Sequence, residues 1–252
     1  MNLEGKEILA VRPNKTVYRD GDRTIKVFTD AQSKVNVFNE ALCTARVEES
    51  GLDIPKILEV CTIDGHWALA LEHAEGTSLQ QLMDDHPENL EQYMEQFVEL
   101  QLTMHSYKAA RLPLQKSKFT RKISSLKDTV SATIRYELHV RLDSMPAHKK
   151  LCHGDFNPSN VVVRPDGSMT ILDWAHATQG NASGDAAITY LQFALKNQKL
   201  ADLYLNLFCQ KSDTAKQYVL KWVPIAAAVQ LTKGIEEEKE FLMRWIDVID
   251  FQ

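Results

Sequence analysis

Apolar and polar residues alternate in short runs over the first seventy residues of the chain. Two such runs flank Asp20-Gly21, within residues 17–28, and two more flank Asp64-Gly65, within residues 56–72. Because Asp-Gly pairs favour the positive φ angles of tight turns, the pattern predicts two β-hairpins.

A helix is predicted between the two hairpins. Apolar positions recur there at helical spacing, at Val35, Phe38, Leu42 and Ala45. Ser33 is the candidate N-cap, and Gly51 lies just beyond the expected end. The elements up to residue 73 are therefore expected in the order strand, strand, helix, strand, strand, which makes a small, mainly β lobe.

The pattern becomes helical after Gly76. Two apolar stripes recur at helical spacing, at Leu90, Tyr93, Met94, Phe97, Leu100 and Met104 and at Ile123, Leu126, Val130, Ile134 and Leu138. A third hairpin turns at Asp166-Gly167, and Pro224 is expected to start or kink one of the last helices. We therefore predict an α+β fold with a small lobe at residues 1–73 and a larger, mainly helical lobe at residues 74–252.

Composition excludes several classes of protein. The chain has 252 residues, 44% of them hydrophobic, with a net charge of −5 and four scattered cysteines. This is too apolar for a disordered chain, and it lacks the basic excess of most nucleic-acid-binding proteins. The longest apolar run has eight residues, too few for a membrane span. We therefore expect no nucleic-acid or membrane partner and a reducing, cytoplasmic location.

The segment around the third hairpin carries the candidate chemistry. It supplies Asp155, then Asn160 five residues on, then Asp173 thirteen residues further, directly after a predicted strand. Since a hairpin returns its two ends to one edge, we expect these side chains to converge. Amide and carboxylate oxygens suit Mg²⁺, and a further carboxylate can accept the proton of an attacking hydroxyl. This combination predicts phosphoryl transfer.

The run His153-Gly-Asp155-Phe-Asn-Pro-Ser-Asn160 resembles the H-x-D-x-x-x-x-N catalytic loop of the aminoglycoside phosphotransferase and choline kinase-like family. Leu172-Asp173-Trp174 resembles the metal-binding element of the same family, whose members are small-molecule relatives of protein kinases. The resemblance implies a two-lobed, protein-kinase-like fold, with one helix beside a small antiparallel sheet in the first lobe. It implies that Asp155 is the catalytic base and that His153 orients the loop. Asn160 and Asp173 would bind Mg²⁺.

Further roles follow from the same resemblance. Lys26 matches the lysine that binds the α- and β-phosphates of the nucleotide, and Glu40 matches its ion-pair partner. Residues 69–76 resemble the hinge, where the backbone at Glu72 and Ala74 would pair with the purine edge of ATP or GTP. Asp185 resembles the aspartate that braces the catalytic loop.

One stretch departs from the family pattern. Where kinases have a glycine-rich loop over the phosphates, residues 10–17 contain no glycine. Glycine lets backbone N–H groups approach phosphates closely. Its replacement is therefore expected to involve Asn14, which tolerates positive φ, and the charge of Arg12 or Lys15.

These residues predict an ATP- or GTP-dependent phosphotransferase that acts on a hydroxyl of an aminoglycoside-, choline- or sugar-like small molecule. The alternative is a degenerate pseudokinase, a nucleotide-binding module that acts through partners, because the glycine-free stretch weakens the donor site. The run Glu236-Glu237-Glu238 is either a solvated helix end or a holder of a cationic acceptor.

Overall fold

The computed structural model describes residues 3–247. They form two compact units, of which the first comprises the chain up to Asp85 together with Pro158–Ala177. The second comprises His86–Asn157 and the chain from Thr178 onward. The first unit thus includes the third hairpin, and the lobe boundary at residue 73 remains a prediction.

An antiparallel sheet forms most of the first unit. Its strands are β1 (Glu7–Arg12), β2 (Lys15–Asp20), β3 (Arg23–Phe28), β4 (Ile57–Ile63) and β5 (His66–Glu72). They lie in the order β1-β2-β3-β5-β4, so that β3 is central. Both predicted hairpins are confirmed, and Asp64 and Gly65 turn the second one with positive φ angles of 50° and 83°.

The strand β1 is absent from the predicted order of elements. Its apolar residues Ile8, Leu9 and Val11 do not alternate regularly with polar ones, and all three are exposed because β1 lies at the sheet edge. Without alternation the pattern gave no strand signal. Residues 10–17, where the loop over the phosphates was expected, therefore belong to the hairpin of β1 and β2.

The turn of this hairpin is short. It joins β1 to β2 through Pro13 and Asn14 alone. Within residues 3–247, positive φ outside glycine occurs at Asp64, Asp173 and Asp213, so Asn14 does not use the left-handed conformation that it tolerates. The chain makes this turn without the left-handed residue that a glycine-rich loop would supply.

The helix α1 (Lys34–Glu48) begins where it was predicted. Ser33 caps it, since the Ser33 hydroxyl oxygen accepts a hydrogen bond from the Asn36 N–H at 3.3 Å. The predicted apolar face is wrong, because Val35, Phe38 and Leu42 are 75%, 44% and 48% exposed.

The opposite face of α1 packs on the sheet. Val37 and Ala41 are buried there against Phe28, Leu69 and Leu71. Both faces of α1 carry apolar residues, so spacing alone does not choose between them. Glu40 shares the inner face and contacts the ammonium group of Lys26 on β3.

The rest of the first unit supports the third hairpin. It contains β6 (Thr77–Ser78), α2 (Leu79–Asp85), β8 (Val161–Val163) and β9 (Met169–Ile171). The three strands form a sheet in the order β6-β8-β9, which confirms the hairpin. Gly76, with φ of 137°, passes so close to β8 that an added Cβ would lie 2.1 Å from the Val163 carbonyl oxygen.

The second unit is mainly helical. Its helices are α3 (Leu90–Ser106), α4 (Gln115–Ser125), α5 (Ala132–Ser144), α6 (Ala182–Lys196), α7 (Gln198–Ser212), α8 (Lys216–Leu220), α9 (Val223–Leu231) and α10 (Glu236–Asp247). A two-stranded sheet pairs β7 (Lys150–Cys152) with β10 (Thr178–Gly180). Pro224 lies in the first turn of α9, where its missing N–H has no intrahelical partner to lose. The helix start predicted at Pro224 is confirmed.

An aromatic core holds the second unit together. Phe97 stacks on Phe156 with ring centroids 4.3 Å apart, and Phe193 and Tyr204 meet Phe97 edge to face. Such rings bury large apolar areas and favour fixed relative orientations. Because Phe156 directly follows Asp155, this core anchors the loop that carries Asp155. Within residues 3–247, no helix combines the length and the apolar character that crossing a bilayer requires.

Candidate functional site

The predicted lysine–glutamate pair is present in the first unit. Lys26 on β3 donates to Glu40 on α1, with 2.6 Å between Nζ and Oε1. The two side chains are only 12% and 4% exposed, so solvent screens the pair weakly. The register of the central strand and the packing of α1 together bring these groups into contact.

A second lysine joins this pair at Asp173. Lys15, the first residue of β2, donates to the Asp173 carboxylate with 2.9 Å between Nζ and Oδ2. Lys26 lies 3.5 Å from the other carboxylate oxygen of Asp173. Lys15 was considered in the sequence only as a possible source of charge, and the structure brings its ammonium group to the candidate metal ligand. Arg12, the other possible source, lines the same pocket but is exposed.

Charge rather than burial controls the ionisation of Lys26. Burial alone would lower the pKa of Lys26, but the carboxylates of Asp173 and Glu40 outweigh it and raise that pKa above its ordinary value. Lys26 is therefore a fixed positive charge at any physiological pH. A fixed cation in a pocket is suited to holding an anion.

Asp173 stands in an unusual backbone conformation directly after β9. Its φ and ψ angles are 63° and 68°, in the left-handed region, where a residue other than glycine is strained. The N–H of the preceding Leu172 donates to the Asn160 carbonyl oxygen at 2.8 Å. The hairpin of β8 and β9 thus returns Asp173 to the neighbourhood of Asn160, as predicted. One amide and one carboxylate fit Mg²⁺, which binds few protein oxygens beside water and phosphate.

These groups line a pocket of about 430 Å³ within the first unit. Its charged end holds Lys15, Lys26 and Asp173, and its walls include Asn160 and the predicted hinge residues Glu72 and Ala74. Pockets of this size are typical for small ligands.

The hinge backbone is partly paired in the sheet. The Glu72 N–H donates to the Lys56 carbonyl oxygen at 2.9 Å, and the His73 N–H donates to the Asp22 carbonyl oxygen at 2.8 Å. These bonds hold the end of β5 in place beside the pocket.

Asp155 lies in the second unit, on the loop after β7. Its Oδ1 accepts hydrogen bonds from Gln192 of α6 at 2.6 Å and from Lys233, just after α9, at 2.8 Å. Its backbone N–H donates to Nδ1 of the buried His153 at 3.2 Å, and the orienting role of His153 stays a prediction. Neither Gln192 nor Lys233 was identified from the sequence, because no local spacing connects them to the loop.

Asp185 braces the same loop, as predicted. Its buried carboxylate accepts the N–H of Gly154 at 2.7 Å and that of His153 at 3.2 Å. His105 of α3 lies 2.9 Å away and was not predicted. Burial alone would raise the pKa of Asp185, but the contacts with His105 and Gly154 lower it below its ordinary value.

Solved structures share this fold. A thermostable mutant of aminoglycoside phosphotransferase APH(4)-Ia, in ternary complex with ADP and hygromycin B, has a TM-score of 0.72, 16% identity and coverage of 98% of this chain and 93% of that one. Choline kinase LicA from Streptococcus pneumoniae has a TM-score of 0.66, 12% identity and coverage of 98% and 93%. A choline/ethanolamine kinase family protein from Mesorhizobium loti has a TM-score of 0.63, 15% identity and coverage of 98% and 87%.

The fold is thus that of the kinase-like phosphotransferases that act on small molecules, and the predicted α+β, protein-kinase-like class is confirmed. The model of the phosphotransferase enzyme family (APH) matches residues 5–218. The chain belongs to this family, which confirms the resemblance seen around His153 and Asp155. No curated protein sequence matches the chain.

Proposed function

We propose that this protein transfers the γ-phosphate of ATP or GTP to a hydroxyl group of a small molecule. The observation that carries the proposal is the cluster of Lys15, Lys26 and Glu40 around Asp173, in a pocket also lined by Asn160. Phosphoryl transfer needs positive charge, a metal and a positioned base, and little covalent chemistry from the protein. This cluster and the Asp155 loop offer those parts.

The donor phosphates bind beside the two lysines. Lys26, held by Glu40, contacts the α- and β-phosphates, and Lys15 adds the charge that backbone N–H groups supply in a glycine-rich loop. The backbone at Glu72 and Ala74 pairs with the purine edge. The ADP in the APH(4)-Ia complex and the AMP in a LicA complex support a nucleotide donor.

Asn160 and Asp173 are the residues that would hold Mg²⁺. The ion supplies the positive charge that offsets the charge developing on the phosphates. Asp173 contributes its position, since the strained backbone after β9 fixes its carboxylate in the pocket. Lys15 and Lys26 lie beside that carboxylate and offset its charge.

Asp155 acts as the base in the proposed reaction. It orients the acceptor hydroxyl and accepts its proton, while His153 holds the loop through the Asp155 N–H. The proton is taken up as the hydroxyl oxygen bonds to the γ-phosphorus and the bond to the β-phosphate oxygen breaks.

A pseudokinase is the second candidate. It is favoured by the short, glycine-free turn between β1 and β2 and by an Asp173 already paired with two lysines. A binding module has no need of a base, however, and Asp155 is held by three polar contacts.

A transfer assay separates the two candidates. We expect the wild-type protein to release nucleoside diphosphate from Mg·ATP or Mg·GTP, by hydrolysis or by transfer to a panel of hydroxyl compounds that includes aminoglycosides, choline and sugars. Asp155→Asn should lose on the order of 10²- to 10⁴-fold in rate. Binding of nucleotide without turnover by either protein would favour the pseudokinase, and full activity of Asp155→Asn would refute the role of Asp155. A cytoplasmic location is also part of the proposal, and it rests on the scattered cysteines.

A further inference from the structure

The surroundings of Asp155 in the second unit carry charges that the reaction itself does not require. Lys233 contacts Asp155 Oδ1 at 2.8 Å, and both side chains are about one quarter exposed, at 26% and 25%. Gln192 binds the same oxygen at 2.6 Å. A cation therefore already contacts the carboxylate that is proposed as the base.

Two more charged groups lie around this pair. Lys122 is in the last turn of α4, and Glu238 is in the first turn of α10. Both helices pack against α9, directly before Lys233. Lys122 and Glu238 each interact electrostatically with Lys233 and with Asp155. The four groups form one cluster, built from α4, α10, the turn after α9 and the loop of Asp155.

Lys122 and Glu238 have unsatisfied charges. Lys122 is half-buried, and its ammonium group has no hydrogen bond or ion pair with any described residue. Glu238 Oε2 is buried and has no hydrogen-bond donor among residues 3–247. Burial and the charge of Lys233 lower the pKa of Lys122, and burial raises the pKa of Glu238. A buried charge without a partner is costly, so both groups gain from a ligand of opposite charge.

Glu238 differs from its two neighbours in the acidic run. Glu236 and Glu237 are exposed, and Glu236 pairs with Lys239 at 3.2 Å, as expected for acids at a helix N-terminus. Glu238 is instead partly buried, and it interacts electrostatically with Lys233 and Asp155. The interpretation as a solvated helix end thus accounts for Glu236 and Glu237 and does not account for the partly buried Glu238.

We propose that the acceptor is a zwitterion, a small hydroxy amino acid or a compound like it. Its carboxylate pairs with Lys122, its ammonium group pairs with Glu238, and its hydroxyl faces Asp155. This inference rests on the proposed function. The hydroxyl oxygen forms a bond to the γ-phosphorus, its proton passes to Asp155, and the bond to the β-phosphate oxygen breaks to release nucleoside diphosphate.

The charge count supports a zwitterion over a polycation. Two lysines and two carboxylates sum to zero, so an acceptor with no net charge but two separated charges leaves the cluster neutral. An aminoglycoside would instead bring several ammonium groups next to Lys122 and Lys233, and like charges at close range repel. A simple amino alcohol would satisfy Glu238 and leave Lys122 unpaired.

Matched acceptors test each charge separately. Serine is compared with ethanolamine, which lacks the carboxylate, and with β-hydroxypropionate, which lacks the ammonium group. Homoserine is compared in the same way with propanolamine and γ-hydroxybutyrate. With Mg·ATP or Mg·GTP as donor, we expect kcat/KM of at least one amino acid to exceed those of both its truncated analogues by about tenfold or more.

Two variants assign the charges to residues. Lys122→Met should bring kcat/KM of the amino acid down to that of the amino alcohol, and Glu238→Gln should bring it down to that of the hydroxy acid. Lys127→Met and Lys239→Met, at exposed sites on the same two segments, are the controls and should keep the full preference. If Lys122 and Glu238 were only structural, the two variants would lower kcat/KM for every acceptor by the same factor. That result would refute their assignment to the carboxylate and the ammonium group of the acceptor.

The outcomes separate this inference from the proposed function. Preference for ethanolamine, propanolamine or an aminoglycoside would overturn the proposal of a zwitterionic acceptor and would leave the proposed phosphotransferase activity unaffected. Calorimetric binding of the amino acids alone, without transfer to any acceptor, would support the zwitterion and refute the phosphotransferase. Failure of serine and homoserine both to bind and to react would overturn the inference.

Discussion

Asp173 and Asp185 are twelve residues apart in the chain and are held in opposite ways. Asp185 is 1% exposed and accepts two backbone N–H groups beside its contact with His105. Asp173 has a side chain that is 29% exposed, and its contacts include the ammonium groups of two lysine side chains. Backbone donors fix a carboxylate in the fold, whereas lysines can be exchanged for another cation.

This difference indicates a structural role for Asp185 and a ligand-binding role for Asp173. Three contacts keep Asp185 charged although it is buried, and two of them come from the loop that carries Asp155. Asp173 lies in a pocket, has a strained backbone and is next to two positive charges. These features are typical of a residue that binds a ligand. We therefore expect substitutions at the two positions to affect different quantities.

The largest effect is expected for Asp173→Asn on activity. Asparagine tolerates the left-handed backbone but removes the charge that the metal requires. The rate of transfer should fall on the order of 10³-fold, a loss of about 4 kcal/mol of transition-state stabilisation. The free energy of unfolding, measured in urea, should change by only about 1 kcal/mol or less because the carboxylate is partly exposed. A rate within threefold of the wild type would contradict the ligand-binding role of Asp173.

The next largest effect is expected for Asp185→Asn on stability. The substitution leaves His105 and the loop N–H groups without their charged acceptor in a buried place. The free energy of unfolding should fall by about 3 kcal/mol, seen as a lower urea midpoint with an unchanged slope. A loss below about 0.5 kcal/mol would show that Asp185 is not the brace that its contacts indicate.

A smaller effect is expected for Lys15→Met on nucleotide binding. If Lys15 replaces the missing glycine-rich loop, its loss should raise KM for the nucleotide about tenfold, equal to about 1.4 kcal/mol, with a smaller change in kcat. Arg12→Met is the matched control and should change KM less than threefold. Equal effects of the two variants would mean that general surface charge, not the contact with Asp173, attracts the phosphates.

The residues of the site differ in how far they could be predicted. Asp155, Asn160 and Asp173 occur at short spacings within one segment, so a local pattern predicts them, whereas Lys26 and Glu40 were predicted from the family resemblance. Lys233 and His105 meet their aspartates across 78 and 80 residues of chain, and no local pattern reports such a contact.

The fold shows the same limit. The hairpins follow from Asp-Gly turns and alternating residues, which are local signals. The inner face of α1 is defined by contacts with the sheet, among them that of Glu40 with Lys26, so apolar spacing selected the exposed Val35, Phe38 and Leu42 instead. β1 was missed because its edge position leaves both of its faces largely exposed and removes the alternation.

The smallest effect is expected in the pH dependence of stability. The pKa of Asp185 is lower in the folded protein than in the unfolded chain, so the unfolded state binds a proton first as the pH falls. The stability that Asp185 contributes is therefore complete above the unfolded pKa of about 3.9 and is lost as the pH falls through the folded value.

Urea unfolding of the wild type and Asp185→Asn checks this sign. The difference between their unfolding free energies should be constant down to about pH 5 and should shrink below about pH 4. A difference that grows on acidification would contradict the stabilised carboxylate.

The most direct test of the account is the thermal melt of three proteins with Mg·ATP and Mg·GTP. Ligand that binds the native state raises the melting temperature, so the shift reports the donor site without any acceptor. We predict a clear shift with at least one nucleotide for the wild type and a similar shift for Asp185→Asn, from a lower starting temperature. Asp173→Asn should start near the wild type and lose most of the shift. No shift of the wild type with either nucleotide, or an undiminished shift of Asp173→Asn, would contradict the account.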